Sequence, residues 1–107
     1  MARTMADTIR IEKTSLPAEG HAVRVSANGV PVAVFRVADQ LYAIDARCTH
    51  VGGPLDRGPL EGTVVTCPLH GSKFDVRDGK VLRGPATRGV TAYRTRVDGD
   101  TLILERD

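Results

Sequence analysis

Three dipeptides ending in glycine, Asn28-Gly29, Asp78-Gly79 and Asp98-Gly99, each separate two short apolar runs. Both residues of Asn-Gly tolerate the positive φ angles of a type I′ turn, which makes this pair the strongest short-range signal for a β-hairpin. The runs "HAVRVSA" and "VPVAVFRVA" flank the first turn, "FDV" and "KVL" the second, and "VTAYRTRV" and "TLILER" the third. A further reversal at Asp39-Gln40 is predicted to lead into "LYAID". Pro31 cannot donate to a ladder, so its strand is expected to lie at a sheet edge or to begin there. No window of eleven or more residues shows a helical period, and no repeat or low-complexity segment appears. The predicted fold class is all-β and antiparallel, with strands starting at Thr8 after a short N-terminal tail.

The chain has 107 residues, enough for one domain with a modest core. Aromatic residues are only 4% of it, so that core must come mainly from Val, Leu, Ile and Ala. The net charge of +2 is spread among alternating acidic and basic residues, which argues against a nucleic-acid footprint. The opening "MARTMADTIR" shows no apolar segment of an export signal, and the longest apolar stretch is about the six residues "VPVAVF". The expected compartment is therefore the cytoplasm, with no membrane partner. There, two cysteines are better suited to metal binding or catalysis than to a disulfide.

Residues 47 to 72 are dense in Gly, Pro, Cys and His. Cys48 and His50 form a CxH pair, and Cys67 and His70 follow as CxxH after sixteen intervening residues. These four include every cysteine and two of the three histidines of the chain. Taken singly, a buried Cys is a small hydrophobe and a His an ordinary polar residue; clustered in two loops, they ask for a metal. Tetrahedral zinc accepts two thiolates and two imidazoles, but its familiar spacing takes a cysteine pair from one element and a histidine pair from another. Here each loop supplies one of each, which suits a longer object with cysteines on one metal and histidines on a second.

"CTHVGG" and "CPLHGSKFD" strongly resemble the two cluster loops of the Rieske family, and "GPAT" at residues 84 to 87 is similar to its proline loop. The resemblance covers nearly the whole chain. It implies a Rieske iron-sulfur fold, with an antiparallel β-sandwich base from about residues 8–46 and 88–107 and a smaller cluster-binding part from about 47–87. It also implies one [2Fe-2S] cluster per chain, with Cys48 and Cys67 on the inner iron and His50 and His70 on the outer one. With two thiolates such a cluster is neutral when oxidised, so it accepts an electron more readily than an all-cysteine cluster. Gly52, Gly53 and Gly71 would let backbone N–H groups approach sulfur, whereas Gly58 and Gly62 read as plain turn glycines.

Members of the family in respiratory and photosynthetic cytochrome complexes carry a second cysteine in each loop, joined as a disulfide; this chain has Gly53 and Leu69 there. It also has Phe74 where those proteins place a tyrosine that bonds a ligand sulfur, while Ser72 is retained as a possible donor to a bridging sulfide. These departures resemble the soluble ferredoxins of bacterial aromatic-ring dioxygenases and imply a potential nearer about −150 mV than about +300 mV.

The resemblance implies an electron carrier, not an enzyme, acting between a reductase and a terminal oxygenase or other oxidoreductase, as a monomer. A small subunit of a larger enzyme such as a nitrite reductase and a structural zinc module for protein interaction are the alternatives. Only His21 remains outside the quartet, too little for the second iron site of an oxygenase, and its predicted fate is surface or core packing. Asp45, Asp56 and Asp75 read as solvated caps and turns. Arg57, Lys73, Arg83 and Arg88 form a candidate basic rim for acidic partners, against the plainer reading of scattered solvated charges.

Overall fold

The computed structural model describes residues 8–11, 16–49, 52–69 and 71–106. The strands are β1 (Thr8–Ile11), β2 (Ala22–Ala27), β3 (Val30–Val37), β4 (Gln40–Asp45), β5 (Leu60–Glu61), β6 (Val64–Thr66), β7 (Lys73–Asp75), β8 (Val81–Arg83), β9 (Ala92–Asp98) and β10 (Thr101–Glu105). One 3₁₀ turn, Leu55–Arg57, is the only helical element among the described residues. All strand pairings are antiparallel. A six-stranded sheet runs in the order β1-β10-β9-β4-β3-β2 and a four-stranded one in the order β5-β6-β7-β8. The ends of the larger sheet, β1 and β2, touch, so it curls on itself.

The Asn28-Gly29 hairpin forms as predicted, with φ of 53° and 85° at its two turn residues. The next reversal falls one residue early, at Ala38-Asp39, where both φ are positive at 51° and 64°. An alanine in this region is strained by roughly 1–2 kcal/mol. Glu19 holds the turn: its carboxylate accepts the Ala38 N–H at 2.7 Å and the Asp39 N–H at 2.9 Å, and those two bonds lower its pKa. At the last hairpin the register pairs Asp98 with Thr101, so the turn residues are Gly99-Asp100 rather than Asp98-Gly99. Gly99 alone there has positive φ, the pattern of a II′ turn.

β3 is an interior strand, and Pro31 is accommodated because it stands at the strand's start. The four residues that follow are buried on both faces, which explains an almost unbroken apolar run where a half-exposed strand would alternate. Val32 and Val34 point into a core with Ile9, Ala27, Ala43, Leu102 and Leu104 inside the curled sheet. Ala33 and Phe35 point the other way, into a second core with Ile44, Leu55, Val65, Phe74 and both cysteines. β3 and β4 are thus the shared wall that seats the smaller sheet on the larger one.

Candidate metal centre

Cys48 follows β4 and Cys67 follows β6, and the two loops they open have the same backbone frame. The Cys48 N–H donates to the Gly53 carbonyl oxygen at 2.9 Å, and the Cys48 carbonyl accepts the Gly52 N–H at 2.8 Å. One loop later the Cys67 N–H donates to the Ser72 carbonyl at 2.7 Å, and the Cys67 carbonyl accepts the Gly71 N–H at 3.1 Å. In each case the cysteine bonds the residues four and five positions ahead of it. Closing so short a ring needs a left-handed residue, supplied by Gly52 at φ 75° and Gly71 at φ 82°. The amides of these two glycines go to the cysteine carbonyls.

Gly53 is the glycine that lies against sulfur. A Cβ added to it would stand 2.5 Å from Cys67 Sγ and 3.1 Å from Leu69 Cγ and Cδ1. The first loop therefore presses on the second at this point, and positions 53 and 69 face each other. Both cysteines are buried thiols, 3% and 2% exposed. His50 and His70, the other half of the quartet, lie outside the described residues. Among the described residues no group of three or more Cys, His, Asp or Glu side chains converges.

Segment 84–88 completes the site. Ser72, fully buried, accepts the Ala86 N–H on its Oγ at 2.9 Å, and the Thr49 hydroxyl donates to the Arg88 carbonyl at 2.5 Å. Each cysteine loop thus holds the segment with one side chain. Farther along, the Val90 N–H donates to the Gly79 carbonyl at 2.8 Å, and Gly79 and Gly89 leave no room for a Cβ between those backbones. Gly62 is the plain turn glycine expected, with open space around it. Gly58 is not: a Cβ there would sit on the Thr66 carbonyl oxygen, so the 3₁₀ turn meets β6 backbone to backbone.

The three aspartates read as solvated caps each have a partner. Asp45 accepts the Tyr93 hydroxyl at 2.7 Å; burial, aided by that bond, pushes the Tyr93 pKa above the usual phenol range. Asp56 pairs with Arg24 at 3.1 Å, tying β2 to the 3₁₀ turn. Asp75 is buried and takes the Arg77 guanidinium at 2.7 Å and the Arg77 N–H at 2.9 Å, and the guanidinium holds its carboxyl below the ordinary range. His21 is an exposed residue just before β2, as its surface reading anticipated.

Two buried thiols, in loops that each also carry a histidine, suit a cofactor with two soft and two imidazole positions. Residues 8–94 match the Rieske [2Fe-2S] domain. The chain belongs to the Rieske family. It is 36% identical over 89 residues to the ferredoxin component of naphthalene 1,2-dioxygenase/salicylate 5-hydroxylase systems of Ralstonia sp, covering 83% of this chain and 86% of that protein. The ferredoxin of carbazole 1,9a-dioxygenase from Nocardioides aromaticivorans IC177 superposes with a TM-score of 0.83 at 30% identity, covering 92% of this chain and 99% of that one. A ferredoxin solved in complex with the reduced oxygenase of carbazole 1,9a-dioxygenase also superposes at 0.83, with 32% identity over 92% of this chain and 96% of the other. The Rieske assignment fixes the cofactor as a [2Fe-2S] cluster and the activity as electron transfer; the chain is a carrier, not an enzyme in itself. Among the described residues no helix is long and apolar enough to cross a membrane.

Proposed function

We propose that this Rieske protein is the ferredoxin component of an aromatic-ring dioxygenase system, a cytoplasmic monomer that takes one electron from a reductase and delivers it to a terminal oxygenase. One domain carries both parts: base strands from about residues 8–46 and 88–107, and a cluster-binding part from about 47–87. Cys48 and Cys67 are the thiolate ligands, and His50 and His70 the imidazole ligands. The observation that carries this reading is the matched pair of cysteine rings meeting at Gly53. When bound, the cluster supplies a single low-charge redox centre. The chain's own residues bury the thiols, close each ring through Gly52 and Gly71, and hold segment 84–88 to the two loops through Ser72 and Thr49.

An EPR-monitored reductive titration of the anaerobically purified protein tests the reading. A rhombic Rieske signal is expected, with a midpoint nearer about −150 mV than about +300 mV. A signal well above zero would point to a different electron-transfer chain, and zinc in place of iron would overturn the ligand assignment. Imidazole ligation has its own check: the potential should fall at alkaline pH by up to about 59 mV per pH unit for each proton lost. A flat potential would reject His50 and His70 as solvent-facing ligands.

A further inference from the structure

We propose that the edge of the molecule carrying the cysteine loops is built to receive a carboxylate-rich patch on a protein redox partner, through Arg57, Lys73, Arg83 and Arg88. The inference rests on the electron-carrier reading above and adds the chemistry of the partner.

Three strands of the small sheet run directly into the site: Thr66 precedes Cys67, Lys73 follows Ser72, and Arg83 precedes Gly84. Thr66 pairs with Lys73 and Lys73 with Arg83, so the three form one row across the sheet beside the loops. Val65 and Phe74, their neighbours along the strands, are fully buried, which puts Thr66 and Lys73 on the outer face. The Lys73 ammonium is steadied by the Thr66 hydroxyl at 2.8 Å. Arg57 extends the row, because Gly58 lies against the Thr66 backbone. Arg88 stands beyond the other loop, its carbonyl held by Thr49.

Like charges opposite each other in a ladder oppose folding, yet Lys73 is the register partner of Arg83, next to an irregularity in the β7–β8 pairing. Among the described residues no carboxylate forms an ion pair with any of the four, whereas Arg24, Arg36 and Arg77 each have an aspartate. The acid beside Arg57, Asp56, is taken by Arg24. Among the described residues the edge therefore presents positive charge with no ion-paired carboxylate, and Leu69 and Leu82 are exposed beside it at 54% and 50%. Apolar contact inside a charged rim is the composition of a protein interface, and complementary charge raises the encounter rate.

The test uses the cluster-loaded chain, reduced and mixed in stopped flow with hexacyanoferrate(III), an anionic oxidant, or with tris(phenanthroline)cobalt(III), a cationic one. At low salt the anion should react faster than in high salt by about tenfold, and the cation slower. Combining Arg57→Gln, Arg83→Gln and Arg88→Gln should remove most of both salt effects, whereas Arg96→Gln on β9 should leave them. The EPR signal identifies loaded protein in each sample, so a missing signal reports failure of the cluster reading and not of the charge reading. Salt effects that are absent, reversed, or untouched by the triple variant overturn the proposal. Retention on duplex DNA or on phosphatidylserine vesicles at physiological salt, lost in the triple variant, would reassign the face to phosphate and also overturn it.

Discussion

The hydroxyl of Thr49 donates to the carbonyl oxygen of Arg88 across a sequence separation of 39 residues, joining the first cysteine loop to the segment that closes the site. Thr49→Val keeps the shape and removes the donor, at a cost of about 1 kcal/mol. That corresponds to a fall in Tm of about 4–8 °C for a domain of this size. The bleaching rate of the loaded protein should rise with it, because segment 84–88 is then held by Ser72 alone of the two loop side chains. Thr49→Ser should restore both. If the Val protein matches the wild type and the Ser protein does not, the methyl group and not the hydroxyl is what matters there.

Ser72 holds the same segment from the second cysteine loop. Its Oγ accepts the Ala86 N–H in a fully buried position, so Ser72→Ala leaves a buried donor unsatisfied and should cost about 1–3 kcal/mol. The same hydroxyl still has a proton to give, and its loss should lower the reduction potential if that proton serves a cluster sulfur. Phe74→Tyr should act in the opposite direction, since Phe74 is packed in the core that contains both cysteines. Redox titration of the two variants should bracket the wild type. A Phe74→Tyr protein with an unchanged potential would place the new hydroxyl away from sulfur.

Gly53 should be the least replaceable glycine of the cysteine loops. A methyl there meets Cys67 Sγ at 2.5 Å and Leu69 at 3.1 Å, so Gly53→Ala must push apart loops that have to hold one cofactor together. The expected result is protein with little or no iron after reconstitution. Gly62→Ala has open space and only the cost of a left-handed alanine, about 1–2 kcal/mol, and should load normally. Iron and acid-labile sulfide analysis of the two variants checks the contrast.

What the sequence disclosed depended on how local each cause is. The Asn28-Gly29 hairpin and the Cys48/Cys67 pair were legible because turn chemistry and rare ligand types act within a few residues. The hairpin of β5 and β6 was not, since strands of two and three residues have no period to detect. Gly58 was misread as a turn residue because the Thr66 carbonyl it must clear belongs to another element. Asp45 was read as a solvated cap because its partner, Tyr93, lies 48 residues away. The amides of the glycines at 52 and 71 close rings onto cysteine carbonyls, a detail set by the matched hydrogen-bond frame.

Two hydrogen-bonded pairs should shape the pH dependence of stability from opposite ends. The Arg77 guanidinium lowers the Asp75 pKa in the folded state. The stability from this pair is complete above the unfolded value of about 3.9 and is lost as pH falls through the folded one. Burial and the bond to Asp45 raise the Tyr93 pKa. Its contribution is complete below the unfolded value of about 10 and is lost as pH rises toward the folded one. Urea melts from pH 3 to 11 should therefore show wild-type stability falling at both limits. Asp75→Asn should flatten part of the acid limb alone, and Tyr93→Phe part of the alkaline limb alone, each from a lower plateau. If the Tyr93→Phe curve ran parallel to wild type above pH 10, the Tyr93–Asp45 bond would not be coupled to folding as its geometry requires.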